Sequence, residues 1–153
     1  MSPLILSITV GLWLLPLIFL VSAVFGAGML GFPGLLLAVY AWVWLRFRPR
    51  CFVLQADALE VIWPLKVRRI PRRDIAGVRL LDPNGLRQEI GWGLRVGAGG
   101  LWGGFGWLWT RRRGIVQMHV SRTDGFVWIE RTNDRPWLIT PEEPAAFVRV
   151  LAR

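Results

Sequence analysis

The first 45 residues carry no Asp, Glu, Lys or Arg; all 19 basic and all 10 acidic residues fall between Arg46 and Arg153. Such a segment cannot form a soluble surface, and its length limits how it can sit in a bilayer. As one helix it would run about 68 Å at 1.5 Å per residue, more than twice a hydrocarbon core of roughly 30 Å. It must double back. Gly26-Ala27-Gly28 supplies the break, with Gly31, Pro33 and Gly34 just beyond. This predicts helices over about 4–25 and 29–47, each near the ~20 residues that one crossing needs. Pro16 is expected to kink the first, as membrane helices tolerate. Pro33 falls near the first turn of the second, where a missing N–H matters least. A cleaved signal peptide is the rival reading, but Met1-Ser2-Pro3 has no basic n-region and the apolar run is too long.

The second predicted helix closes on Tyr40, Trp42 and Trp44, then Arg46, Arg48 and Arg50: an aromatic belt followed by cationic anchors. By the positive-inside rule this end faces the cytoplasm, which puts the N-terminus inside too. The expected organisation is a transmembrane hairpin over 1–48 and a cytoplasmic domain over 51–153, in a multi-pass protein of the inner (plasma) membrane. A net charge of +9 beside 54% hydrophobic residues makes sense as an average over those two unlike parts. Cys51 is the only cysteine, which rules out an intrachain disulfide and suits a reducing compartment. Its juxtamembrane place leaves palmitoylation open; a small apolar residue opening a strand is the simpler role.

Beyond the anchor, short apolar runs alternate with turn residues, the pattern of a strand-rich domain. Strands are expected at 51–55, 58–63, 66–70, 75–81, 115–121, 126–131 and 136–139, about seven in all. Thr123-Asp124-Gly125 reads as a hairpin turn between two of them. Thr140-Pro141-Glu142-Glu143 reads as a capping box opening a C-terminal helix, whose Pro144, Phe147, Val148 and Leu151 form one apolar stripe. Arg149 and Arg153 suit its C-terminal end. The predicted class is α+β, a sheet structure closed by a single helix.

Leu59-Glu60-Val61-Ile62 leading to Arg69-Ile70-Pro71-Arg72-Arg73-Asp74-Ile75 resembles the opening of bacterial pleckstrin-homology-like (PH-like) domains. The stretch around 97–106, the strand pair over 115–130 and Ile139-Thr140-Pro141-Glu142 with Phe147 fit the same order, from Cys51 to Ala152. The resemblance implies a bent, partly open β-barrel or sandwich capped by the C-terminal helix, often found beside membrane helices. It does not carry phosphoinositide binding with it. Eukaryotic relatives place basic residues around the first strand–strand loop, and here that loop is Gln55-Ala56-Asp57-Ala58, short with an acid at its tip.

No reactive constellation stands out. His119, the single histidine, alternates with Val120 on a predicted strand and reads as a surface residue; one His and one Cys fall short of a metal set. Glu142 and Glu143 diverge by about 100° if helical and cannot clasp one bond. Asp74 reads as a turn former or ion-pair partner. Residues 91–109 hold eight glycines and four tryptophans but lack the ending of a phosphate-binding loop, Gly104 being followed by Phe105. The stretch is expected to be a loop, its indoles either filling one end of the barrel or, at Trp102, Trp107 and Trp109, lying in the bilayer interface. Arg111-Arg112-Arg113 follows directly, and beside anionic lipid each cation is worth about 1 kcal/mol. Nucleic-acid binding is disfavoured by the tether and by the absence of a recognisable binding motif. The reading is a non-enzymatic, membrane-anchored binding or scaffold domain with no cofactor. It would contact anionic phospholipid and a protein partner through Trp42, Trp44, Arg46, Arg48, Arg50, Trp102, Trp107, Trp109, Arg111, Arg112 and Arg113. The alternative is an accessory subunit of a transporter or envelope enzyme, its hairpin packed on larger helices through its small residues.

Overall fold

The computed structural model describes residues 2–24 and 31–152. Two apolar helices come first, α1 (Pro3–Val24) and α2 (Gly31–Arg46). They lie side by side and run in opposite directions: Trp13 meets Tyr40 edge-on at 5.6 Å between ring centroids, and Phe19 meets Phe32 at 4.6 Å. The Tyr40 hydroxyl donates to the Leu12 carbonyl at 2.8 Å. Polar groups within α1 are satisfied locally, as an apolar environment demands: Ser7, Thr9 and Ser22 each bond the carbonyl four residues back. The expected turn at Gly26-Ala27-Gly28 and the ends at Phe25 and Met29 lie outside the described residues. Among the described residues, helix α1 alone is long and apolar enough to cross a membrane. The 16 residues of α2 span roughly 24 Å, and α2 stops at Arg46, one residue short of the expected Phe47.

Among the described residues the chain then builds nine strands in two sheets, where about seven strands in a bent barrel or sandwich are expected. The first sheet is a meander of β1 (Cys51–Leu54), β2 (Ala58–Trp63) and β3 (Lys66–Pro71), all antiparallel. The short β1–β2 loop closes with Gln55 N–H donating to the Ala58 carbonyl at 2.8 Å. A single 3-10 turn at Arg72–Asp74 leads into β4 (Ile75–Leu81).

Two stretches differ from expectation here. Asp82-Pro83 does not merely end a strand; it opens α3 (Pro83–Ile90), with Asp82 Oδ1 accepting the Gly85 N–H at 2.8 Å and Pro83 in the first turn. The Gly/Trp-rich stretch is no loop either. It forms a hairpin of β5 (Gly93–Gly99) and β6 (Gly104–Thr110), paired along their whole length. Gly97 and Gly106 face each other across it with φ of 144° and 127°. A Cβ on Gly97 would lie 2.3 Å from the Phe105 oxygen, and one on Gly106 2.5 Å from that of Val96. Glycine is there because the two backbones approach too closely for any side chain.

The remaining elements are β7 (Gly114–Val120), β8 (Phe126–Arg131), β9 (Trp137–Ile139) and α4 (Pro144–Leu151). The second sheet has the order β4-β8-β9-β7-β6-β5. The turn at Thr123-Asp124-Gly125 therefore joins no hairpin: β9 is wedged between β7 and β8, parallel to the first and antiparallel to the second. All three residues of β9 are buried, as a central strand with both faces covered requires. The capping box fails as well. Glu143 sits at the N-cap without a side-chain bond, and Thr140 Oγ1 instead accepts the Ser121 N–H at 2.8 Å. Pro144 explains this, because the residue before a proline is pushed out of helical conformation, so the helix starts at Pro144 rather than Pro141. Phe147 and Leu151 turn inward as the stripe predicts; Arg153 is outside the described residues.

One face of the six-stranded sheet packs on the first sheet and α4, through Val61, Trp63, Ile70, Val127, Ile129, Trp137, Ile139 and Phe147. The other holds Leu108, Val116, Met118, Trp128 and Leu138 beneath Leu86 and Ile90 of α3.

Candidate functional site

The turn between β5 and β6 is seated on the two apolar helices. Trp102 N–H donates to Thr9 Oγ1 at 2.9 Å, and the Thr9 hydroxyl lies 2.7 Å from the Ile5 carbonyl and 3.1 Å from that of Gly100. Trp102 adopts φ 58°, the left-handed region that a bulky residue enters only under constraint. Its ring is held edge-on by Trp44 at 4.7 Å and Trp13 at 6.3 Å. Tyr40, Val43 and Leu101 are buried at the same contact, with Leu12, Ala98 and Trp102 packed around them.

From that seat the hairpin runs outward, and its exposed face follows from the register. Ala98, Phe105 and His119 share one row across β5, β6 and β7, Val96, Trp107 and Gln117 the next, and Leu94, Trp109 and Ile115 the third. This is the face that, further across the sheet, carries Trp137 and Ile139 under the first sheet. Three strands cannot cover six, so the face is bare beyond the first row. Trp107 is 48% and Trp109 62% exposed, and Trp92, Leu94, Val96 and Ile115 are exposed beside them. A single apolar residue at the surface means little; a contiguous aromatic face on one sheet is unusual.

The cations divide into two groups. Near the helices, the Arg48 guanidinium stacks over the Trp44 ring at 4.1 Å, Lys66 over Trp63 at 4.4 Å and Arg68 over Trp137 at 5.1 Å. Burial holds Arg48 below the usual arginine range, and burial together with Arg46 and Arg68 does the same to Lys66. Arg46 and Arg50 are exposed at this end, as is Trp42, whose ring meets Phe47 at 5.1 Å. Arg111, Arg112 and Arg113 sit at the opposite end of β6, seven residues or roughly 23 Å from Gly104. Arg112 donates to the Gln88 carbonyl, while Arg113 pairs with Glu89 and reaches Glu130 at 3.6 Å. Two of the three arginines are therefore tied to α3 and its neighbour strand, apart from Trp102.

His119 is not a surface residue. It is 6% exposed, wedged between Trp63 at 5.4 Å and Trp137 at 5.3 Å. Burial, then the nearby Lys66 and Arg68, pull its pKa down to about 4, so the ring is neutral near pH 7. Asp57, at the tip of the β1–β2 loop, is engaged by Arg69 at 2.6 Å, which holds its carboxyl below the usual range. Asp74 lies 3.9 Å from Arg73, and Cys51 opens β1 exposed. Among the described residues no group of His, Cys, Asp or Glu is placed to hold a metal ion.

Sequence reasoning missed α3 and the hairpin, and with them the bare face. The signals were present: Asp82-Pro83 ahead of Leu86 and Ile90 at helical spacing, and the alternation of Leu94 with Val96 and of Phe105 with Trp107 and Trp109. The glycines between them obscured the second.

A three-stranded meander set against a larger sheet, closed by a C-terminal helix and presenting surfaces rather than clustered reactive groups, is a PH-like domain, a class that in general binds rather than catalyses. The family model described as the bacterial PH domain matches residues 50–153, and the chain belongs to that family. No curated protein and no solved structure matches it.

Proposed function

We propose that the chain is a membrane-anchored, non-enzymatic binding and scaffold domain of the inner membrane. Helices α1 and α2 cross as a hairpin, and residues 51–153 sit on the cytoplasmic side. The bare face of β5–β7 lies on the bilayer surface, and the domain's remaining edges are free for a protein partner. One observation carries this reading: the exposed aromatic face is continuous with the apolar helices, from Trp44 through Trp102 and Ala98 to Trp107 and Trp109. Tryptophan favours the interface because its ring is apolar while its N–H wants a partner. Arg46, Arg48 and Arg50 stand where anionic headgroups would be, each worth about 1 kcal/mol there. Arg111 can add to this; Arg112 and Arg113 contribute less because they already have partners.

The test is done on the full chain in proteoliposomes. With Cys51 replaced by serine, a cysteine at Trp109 is labelled with a membrane-impermeant maleimide. Labelling slower than at a cysteine replacing Arg149, and slower again in anionic vesicles, is the expected result. Equal rates at the two positions in both lipids would remove the lipid-contact reading.

The second reading, an accessory subunit packed on larger membrane helices, is favoured by Gly11 and Gly34. Both leave open space where a side chain would be, as close helix approach requires. Mild extraction should then recover a stoichiometric membrane partner, and Gly11→Leu with Gly34→Leu should lose it.

A further inference from the structure

Directly below the end of α2 lies a cleft of about 400 Å³ that the aromatic face does not use. It is formed where the α2–β1 linker passes the ends of β7 and β9. Arg48 and Arg50 come from the linker, Ser121 and Arg122 from the end of β7, and Thr140 from the end of β9. His119 also lines it. We propose that this cleft binds an anionic phosphate group.

The charge balance argues for it. Neither Arg48 nor Arg50 has a carboxylate partner among the described residues, although burial strips Arg48 of part of its water. A partly desolvated cation without a counter-ion is costly, and an incoming anion relieves that cost. Arg122 is already paired and thereby held in place: its Nε and Nη2 donate to the Asp124 carboxylate at 3.1 and 3.4 Å, and Nη1 donates to the Glu142 carbonyl at 3.1 Å. Glu142 is the one acid lining the cleft, against Arg48 and Arg50, which have no carboxylate partner among the described residues, and Arg122, which is paired with Asp124.

The neutral groups match as well. Thr140 Oγ1 already accepts the Ser121 N–H and shares a hydrogen bond of 3.4 Å with Ser121 Oγ, which leaves one of the two hydroxyl protons to donate. His119 Nδ1 is buried with no hydrogen-bond partner among the described residues. Guanidinium forks with hydroxyl and imidazole donors are what the several acceptor oxygens of a phosphate require. Arg48 follows the last residue of α2 by two positions, so the phosphate of a membrane lipid would meet the cleft at its own depth. That source rests on the membrane reading above; the phosphate chemistry does not.

The test uses the full chain in phosphate-free maltoside micelles. It is titrated with inorganic phosphate, with dihexanoyl phosphatidic acid and with dihexanoyl phosphatidylcholine, followed by calorimetry. Arg48→Ala and Arg50→Ala should each weaken binding of the anionic probes about tenfold, the loss expected for a charge-assisted contact. Arg122→Lys, which keeps the charge, should weaken it less, and Arg149→Ala on α4 should leave it unchanged. Saturation by inorganic phosphate supports the site with a soluble source. Saturation by the phosphatidic acid alone supports it with a lipid source. Binding of neither, indifference to Arg50→Ala, or equal loss with Arg149→Ala overturns it. Failure of the membrane reading would show separately, as release of the chain from native membranes by alkaline carbonate, which the micelle titration does not touch.

Discussion

The buried imidazole of His119 gives the molecule a pH dependence whose sign can be worked out. Its pKa falls from 6.5 to about 4 on folding, so between those values the unfolded chain binds a proton that the folded chain refuses. Stability is complete above about pH 6.5 and declines as pH falls toward 4, with ~3 kcal/mol as the upper bound from that shift. Carboxylates held low by arginine, such as Glu89 beside Arg79 and Arg113, begin to add to the decline only as pH falls to their unfolded value of 4.5, at the acid end of this window. Urea unfolding from pH 7 to 4.5 should show the decline, and His119→Gln should flatten it. An unchanged slope in that variant would move the effect elsewhere. Thr9 is the other residue on which much turns, because its hydroxyl serves both a helix carbonyl and the β5–β6 turn. Thr9→Val keeps the shape but strands the Trp102 N–H, at a cost of about 1–3 kcal/mol. Amide exchange at Trp102 should rise accordingly, and Thr9→Ser should restore most of the protection.

At the scale of elements, two departures from expectation make opposite predictions for substitutions that look alike on paper. Thr140 and Glu143 would both matter if they formed a capping box. Because Thr140 instead ties β9 to β7, Thr140→Ala should cost about 1 kcal/mol of stability with helix content unchanged, while Glu143→Ala should be near neutral. Circular dichroism alongside chemical unfolding separates the two. In the hairpin, Gly97→Ala places a Cβ 2.3 Å from the Phe105 oxygen at a φ that alanine resists. It should cost at least ~3 kcal/mol, whereas Gly114→Ala has open space and only its φ of 66° to accommodate. The gap between these two variants in midpoint denaturant measures the close strand approach itself.

For the whole molecule, the mismatch between a three-stranded and a six-stranded sheet decides which surface is left over. The uncovered rows project next to the apolar helices, so helices and face form one apolar surface edged by arginines. Trp107→Ser with Trp109→Ser should therefore leave the unfolding midpoint close to that of the parent, since both rings are exposed, while reducing protection of the face in vesicles. A large loss of stability would mean that the indoles serve the core instead.

The sequence alone settled what periodicity and charge segregation can settle. A charge-free opening longer than one bilayer crossing implied two apolar helices, and period-two apolar runs located β1 to β4 and β7 to β9. The inward stripe of Phe147 and Leu151 marked the closing helix. These are local properties, readable wherever neighbours in the chain decide the outcome. Tertiary structure decided the rest. It inserted β9 between β7 and β8, turned a glycine-rich stretch into a hairpin because two backbones had to touch, and buried His119 under tryptophans more than fifteen residues away on either side. It also separated Trp102 from Arg111–Arg113, which sequence order had grouped, because a strand is long and only one of its ends rests on the helices. Such outcomes depend on which faces meet, and no window along the chain contains both sides of that contact.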